Sequence, residues 1–381
     1  MVFSTLLGIA SRVSGGSWGI AAPQGMPTSA MARVMPRTLA TVISRPGILR
    51  LQHKPPLLLW CQRSAISNLS NPRRESAVVP VSRCVSRASF IRSSHAMAAA
   101  GEAVGEGVTF VETEAATRRN ADSGMVAFVT GSNRGIGMEV TRQLLAKTKG
   151  TVVAACRNPS SAKDLHALGQ LAGNQNRLDV VQMDIEDQAS LDTAAEHVKR
   201  TYGRVDLLFN VAGVLGDGKN TPGPERSLRA MDREWLRHTL EVNTIGPMML
   251  VAALAPLLES PAKKGDDGAR PPSVVVNFSA RVGSIGDNGM GGWHSYRMSK
   301  SALNMATKGI SIELRRRRVW AFSYHPGTTD TGLSEPFQAN VKPEKLFTTD
   351  YTVSQVLGIV DSMTEELSGG FFAFDGSRIL W

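Results

Sequence analysis

Residues 125–137 read Met-Val-Ala-Phe-Val-Thr-Gly-Ser-Asn-Arg-Gly-Ile-Gly. Met125 to Val129 is an unbroken apolar run with β-branched valines, as expected of a strand buried on both faces of a parallel sheet. A tight turn follows. Gly131, Gly135 and Gly137 fall where the chain must reverse, admit a pyrophosphate to backbone amides, and pack a new helix on the strand. Beyond them Met138 to Ala146 has apolar residues at helical spacing, so the turn opens onto a helix N-terminus whose free N–H groups attract an anion. Glycine-rich turns are common, and a plain strand–turn–helix corner would look alike; strand before and helix after favour a dinucleotide site.

Working outward, strand-like runs alternate with helical patterns. Thr151 to Cys156, Asp179 to Met183 and Val205 to Phe209 read as further strands, with helical spacing at Ser161 to Leu171 and Ala189 to Thr201 between them. Leu240 to Leu258 reads as one long apolar helix. Strand, helix and strand follow at Ser273 to Phe278, Tyr296 to Arg317 and Val319 to Tyr324; then come a helix at Thr352 to Leu367 and a last strand at Phe371 to Phe374. Strands separated by single helices are βαβ crossovers. The expected fold is α/β: one doubly wound, mostly parallel seven-stranded Rossmann domain over residues 123–381.

The chain has 381 residues and a formal charge of +10, but the first hundred residues hold twelve Lys and Arg against one acidic residue, Glu75. They carry +11 and the remainder −1. A near-neutral folded part removes the main argument for nucleic-acid binding. An Arg- and Ser-rich, acid-poor start reads as a transit peptide over residues 1–97, for the chloroplast or else the mitochondrion. A basic tail that stays attached, or Met97 as a working start, would read the same way. Residues 98–122 read as a linker. No apolar run reaches the roughly 18 residues of a membrane span. Of Cys61, Cys84 and Cys156, only Cys156 lies beyond the leader, so no disulfide framework and no metal cluster is expected.

Several side chains have the chemistry of a redox nucleotide site. An acidic residue usually ends the second strand where NAD's ribose is bound, whereas a basic one accepts the 2′-phosphate of NADP. Here Arg157 stands there and Arg134 lies in the turn, so NADP is the expected cofactor, although either arginine alone would pass for a solvated loop residue. The turn Gly131, Ser132, Asn133, Arg134, Gly135, Ile136 and Gly137 would cradle the pyrophosphate. Asp184 and Ile185 follow the third strand and are placed against the adenine, while an Asp there is also an ordinary helix cap. Asn210, Ala212 and Gly213 end the fourth strand, where small residues let backbone approach a cofactor.

Tyr296 and Lys300 are four apart in a helical stretch, so their heads share a face. An ammonium about 4 Å from a phenol at an effective dielectric near ~20 favours phenolate by at most ~4 kcal/mol, or roughly three pKa units. That would bring Tyr296 into the range of general acid–base work. Taken alone, Tyr-x-x-x-Lys also describes an amphipathic helix with a snorkelling lysine.

The order of these signals, from the glycine turn through Asn210-Val211-Ala212-Gly213, Asn243, the Ser-bearing strand end and Tyr296/Lys300 to His325-Pro326-Gly327, resembles the short-chain dehydrogenase/reductase family over residues 125–381. Within it the chain looks most like the C-factor and sniffer-type NADP-dependent carbonyl reductases, through Arg281 to Asn288, Gly292 to Asn304 and the Phe374-Asp375-Gly376 ending. The resemblance implies roles: Tyr296 as acid/base, Lys300 lowering its pKa and binding the nicotinamide ribose, and Asn243 holding a relay water. Pro326, Gly327 and Thr331 would lie beside the nicotinamide. The long helices resemble those through which relatives form dimers or tetramers.

One position departs from the family. The serine that would hydrogen-bond a substrate carbonyl falls at Ala280; Ser279 is one place early and serves only if the strand end curls, and Ser284 is the other candidate. The expected function is therefore an NADP-dependent carbonyl reductase or alcohol dehydrogenase acting on a small carbonyl or alcohol. The alternative is an NADPH-binding sensor or scaffold whose chemistry Ala280 weakens. The segments Leu215 to Arg229 and Gly286 to Trp293 would shape the pocket, the latter's glycines suggesting mobility; Trp293 is either its wall or ordinary packing.

Overall fold

The computed structural model describes residues 107–260 and 269–381. The leader at 1–97 and the first part of the linker lie outside the described residues. Seven strands form one parallel sheet: β1 (Val126–Thr130), β2 (Thr151–Cys156), β3 (Leu178–Gln182), β4 (Leu207–Asn210), β5 (Ser273–Phe278), β6 (Val319–His325) and β9 (Phe371–Ala373), in the order β3-β2-β1-β4-β5-β6-β9. Two short strands, β7 (Thr328–Thr329) and β8 (Leu346–Phe347), pair separately.

The apolar runs become central strands because both sheet faces are covered: every residue of β1, β4 and β5 is buried. One layer packs Val140 and Leu144 of α2 (Gly135–Lys147) and Val353, Val356 and Val360 of α8 (Thr349–Asp361) on Ala127, Val129, Phe209 and Phe322. The other packs Leu191 and Val198 of α4 (Gln188–Thr201) and Leu250 and Leu254 of α6 (Gly246–Leu258) on Phe128, Val153 and Leu208. β1 is flanked by β2 and β4, so chain order reverses beside it and a crevice opens at the carboxyl ends of the strands.

Five expectations need correction. The single helix at Leu240 to Leu258 is α5 (Arg233–Leu240), a π-helical turn at Glu241–Ile245, and α6. This composite, Arg233–Leu258, is long and apolar enough to cross a membrane, which no contiguous run had suggested; its Leu250, Leu254 and Leu258 lie in the core. The last helix ends at Asp361 instead of Leu367, and the catalytic-helix candidate α7 runs His294–Glu313, followed by a 3₁₀ turn at Arg315–Arg317. Finally, the stretch read as linker contains α1 (Glu114–Ala121), capped by Thr113 and fixed to α8 through Arg119 and Asp361. Its mean composition is polar because its only buried positions are Ala116, Arg119 and Asn120, so no apolar period betrays it. The third helix is shorter than read, α3 being Lys163–Gln170.

Candidate active site

The glycine turn is held open by Thr130, whose hydroxyl oxygen accepts from Val211 N (3.0 Å) and Ala212 N (3.1 Å) and so ties the end of β1 to the end of β4. Gly131 has φ +64°, and a Cβ there would sit 3.1 Å from Ala212 Cα. At Gly137 a Cβ would stand 2.3 Å from the Gly131 carbonyl oxygen, so only glycine lets α2 pack this near the strand. Arg134 is the N-cap of α2 and offers no side-chain cap, and the first turn holds no acidic residue, leaving its N–H groups for an anion.

A cleft of about 750 Å³ opens beside this turn. Its size is that of a cofactor site. Of the predicted cofactor residues, Gly131, Asn133, Arg134, Gly135, Ile136, Gly137, Arg157, Asp184, Ile185, Ala212, Gly213 and Thr331 line it. Four do not. Ser132 is fully buried and donates to the Ala155 carbonyl (3.0 Å), so its side chain anchors the turn to β2. Asn210 donates to Asn277 Oδ1 (2.8 Å), which ties β4 to β5. Pro326 and Gly327 form the turn after β6, where a Cβ on Gly327 (φ +71°) would meet the Phe347 ring at 2.5 Å. The cleft residues missed by the sequence reading include Asn158, Ser161, Glu186, His238 and Asp330. Asn158 directly follows Arg157 and Ser161 stands four residues after it, and that nearness was the available signal; His238 meets Glu186 at 2.7 Å only through the fold.

Arg134 and Arg157 are exposed in the cleft and, among the described residues, neither has an ion-pair partner. Asp184 does not cap α4; Asp187 does, accepting from Ala189 N (3.0 Å), while Asp184 accepts from Glu186 N within its own turn. Among the described residues no group of three or more His, Cys, Asp or Glu could hold a metal ion.

Behind Gly213, which lines the cleft, three elements meet. Asn243 stands in the π-helical turn, an irregularity frequent at functional sites. Its carbonyl oxygen accepts from Val214 N (2.8 Å), and its amide donates to the Val214 carbonyl (2.9 Å) and to Ser299 Oγ (3.1 Å). Gly213 lies beside it: a Cβ there would be 3.2 Å from Asn243 Oδ1 and 3.7 Å from Lys300 Nζ. Lys300, buried on α7, donates to the Phe278 carbonyl (2.7 Å), and its ammonium lies 5.6 Å from the centre of the half-buried Tyr296 ring. Trp293 packs on Tyr296 at 6.3 Å and on Phe337 at 5.3 Å between ring centres.

The expected electrostatics are reversed. Burial raises the Tyr296 phenol above its ordinary range, and burial lowers Lys300 to about 7. The ammonium is spent on the Phe278 carbonyl, so it does not supply the close phenolate contact assumed from spacing alone. Ser279 is likewise corrected. It is buried and donates to Asn304 Oδ1 (2.7 Å), facing α7 as strand alternation requires, and not a carbonyl in the cleft. Ser284 Oγ accepts from Asp287 N (3.0 Å). The Gly286 to Trp293 loop is held by Arg297, which donates to the Gly291, Gly292 and Val282 carbonyls, so its glycines do not leave it untethered.

A family model described as short chain dehydrogenase matches residues 125–342. The 1-hydroxy-2-glutathionyl-2-methyl-3-butene dehydrogenase of Rhodococcus sp. (strain AD45) is 30% identical over 253 residues, covering 66% of this chain and 98% of its own. Among solved structures, NADPH-bound carbonyl reductase from chicken fatty liver superposes with a TM-score of 0.58 at 29% identity, covering 68% of this chain and 98% of its own. Carbonyl reductase Sniffer of D. melanogaster gives a TM-score of 0.59 at 27% identity, over 68% and 100%.

Proposed function

Because the chain belongs to the short-chain dehydrogenase family and is an oxidoreductase by that membership, we propose that it is an NADP-dependent carbonyl reductase or alcohol dehydrogenase with Tyr296 as acid/base. The observation that carries the reading is that Asn243 and Lys300 meet at Gly213, which lines the cleft, with Lys300 one helical turn from Tyr296. The bound nicotinamide supplies or accepts the hydride. The chain's residues manage the proton. In reduction Tyr296 donates its phenolic proton to the carbonyl oxygen; its raised pKa keeps that proton in place until charge develops on the oxygen. Lys300, lowered to about 7 by burial and held on the Phe278 carbonyl 5.6 Å from the ring centre, recharges the phenol through an intervening water. Asn243 fixes the Gly213–Val214 backbone against both.

The cofactor assignment rests on the glycine cradle, which a side chain would fill, and on the exposed Arg134 and Arg157 guanidiniums in the cleft, which have no ion-pair partner among the described residues and suit a 2′-phosphate. It is supported by the chicken carbonyl reductase, which is bound to NADPH. Exposed Met248 and Met249 on α6 and Met298, Met305 and Ile312 on α7 support a homodimer or homotetramer through these helices. The basic composition of residues 1–97 supports chloroplast import, with the mitochondrion as the alternative.

Incubation with NADPH or NADH and a panel of aldehydes, ketones and quinones, followed by cofactor absorbance, tests the reading. Turnover with a preference for NADPH is expected, with loss of at least ~10³-fold in Tyr296→Phe and an eroded preference in Arg157→Ala. Tight NADPH binding without turnover of any carbonyl would leave the sensor reading in its place.

A further inference from the structure

The N-terminus of α7 lacks a cap of its own. Its N-cap residue is Trp293, held at φ +52° and ψ +39° with no side-chain cap bond. A bulky residue in this left-handed region is strained by about 1–2 kcal/mol, and such strain persists only where its surroundings enforce it. They do so through Glu225, from the segment between β4 and α5. Its carboxylate is 3% exposed, accepts from Ser295 N at 3.1 Å and from the Ser295 hydroxyl, and its main-chain carbonyl accepts from Trp293 N at 2.5 Å. A negative charge 70 positions away in sequence thus satisfies the first turn of the helix that carries Tyr296. The same segment is pinned at its other side, where Gly223 lies against the Trp235 indole of α5.

Resting on the acid/base reading of Tyr296, we propose that Glu225 is a positioning residue for that phenol: it caps α7 from the pocket-forming segment and fixes Trp293 and the first helical turn. Ser295 is adjacent to Tyr296, and Trp293 is its aromatic neighbour. The clamp therefore couples any shift of the β4–α5 segment to the orientation of the reacting hydroxyl. Errors of about 1 Å in such orientation cost on the order of 10²-fold in rate.

Glu225→Ala, Glu225→Gln and Ser295→Ala in the full chain, with Tyr296→Phe for assignment, test the assignment. In Glu225→Ala, kcat is expected to fall ~10–100-fold with the KM for NADPH unchanged and the pH profile displaced. Glu225→Gln keeps an oxygen that accepts from Ser295 and regains most of the loss; Ser295→Ala, which keeps its backbone N–H bond, lies between. Tyrosine ring-carbon NMR reads position directly, because the chain holds only four tyrosines. The Tyr296 resonance shifts while those of Tyr202, Tyr324 and Tyr351 stay. Unchanged kcat and an unmoved Tyr296 resonance overturn the assignment, as does a fall in activity that glutamine does not rescue and that moves all four resonances together. If Glu225→Ala does not fold, Glu225→Gln and Ser295→Ala carry the same comparison. Should the wild type reduce no carbonyl, the acid/base reading has failed, and the NMR comparison alone decides whether Glu225 positions the ring.

Discussion

Lys300 sets the pH response expected of the site. Its ammonium is buried with a backbone carbonyl as its partner, and burial disfavours the charged form, which lowers its pKa to about 7. Below that value the lysine holds the proton that recharges the phenol; above it the proton is gone. The rate of carbonyl reduction at saturating NADPH is therefore expected to be level below about 7 and to fall ~10-fold per unit above it. In Lys300→Arg this limb should vanish from the neutral range, because a guanidinium stays protonated. A wild-type profile flat from pH 6 to 9 would remove Lys300 from proton supply. At this scale the sequence was informative about identity and silent about direction. The glycines were picked out by the strand and helix around them, and Tyr296, Lys300 and Asn243 by their order along the chain and the family resemblance; the fold brings Asn243 and Lys300 together at Gly213. That Ser279 faces Asn304 and that Lys300 is spent on Phe278 depend on contacts made by residues 22 to 25 positions away in sequence.

The end of β5 is the element where the expected machinery is incomplete. Ala280 is partly exposed and extended, with φ −152° and ψ +148°, a conformation serine adopts without strain. A missing donor toward a developing oxyanion commonly costs ~10²–10³ in rate. Ala280→Ser is therefore expected to raise kcat for a ketone by about tenfold or more, with the KM for NADPH unchanged; a variant no faster than wild type would mean another group already donates. Ser284→Ala, measured beside it, identifies whether that group is Ser284. Strands and helices of the sheet were legible because buried parallel strands are continuously apolar and their crossovers periodic. The π-helical turn at Glu241–Ile245 was not. One extra residue in a single turn barely disturbs an apolar period, yet it aims Asn243 at the Val214 backbone.

Across the whole molecule, charge sets the first hundred residues apart from the rest, but composition does not show where the folded part begins. Residues 108–121 are stitched to the C-terminal part of the fold: Val108 N donates to the Gly376 carbonyl (2.8 Å), Val111 N to Ser362 Oγ (2.8 Å), and Thr113 N to the Asp361 carbonyl (2.9 Å). Arg119 and Asp361 form an ion pair at 2.7 Å with side chains 3% and 7% exposed, and Asn120 and Lys147 meet the same carboxylate. Such polar stitching has no apolar signature, which explains why composition marked it as a linker. Removing one partner of a buried pair costs about 3–5 kcal/mol, less here because Lys147 remains. Two truncations separate the alternatives. A chain beginning at Gly107 should melt with the same midpoint as one beginning at Met97. One beginning at Ser123 leaves Asp361 with Lys147 alone and exposes the face of α8 that α1 covers. At roughly 2–4 °C per kcal/mol for a domain of this size, its midpoint should fall by about 5–10 °C. NADPH binding should survive, since the cleft lies at the carboxyl ends of β1 and β2 and makes no use of α1. Equal melting points for the two truncations would show that α1 adds nothing to the domain and would return residues 107–122 to the linker.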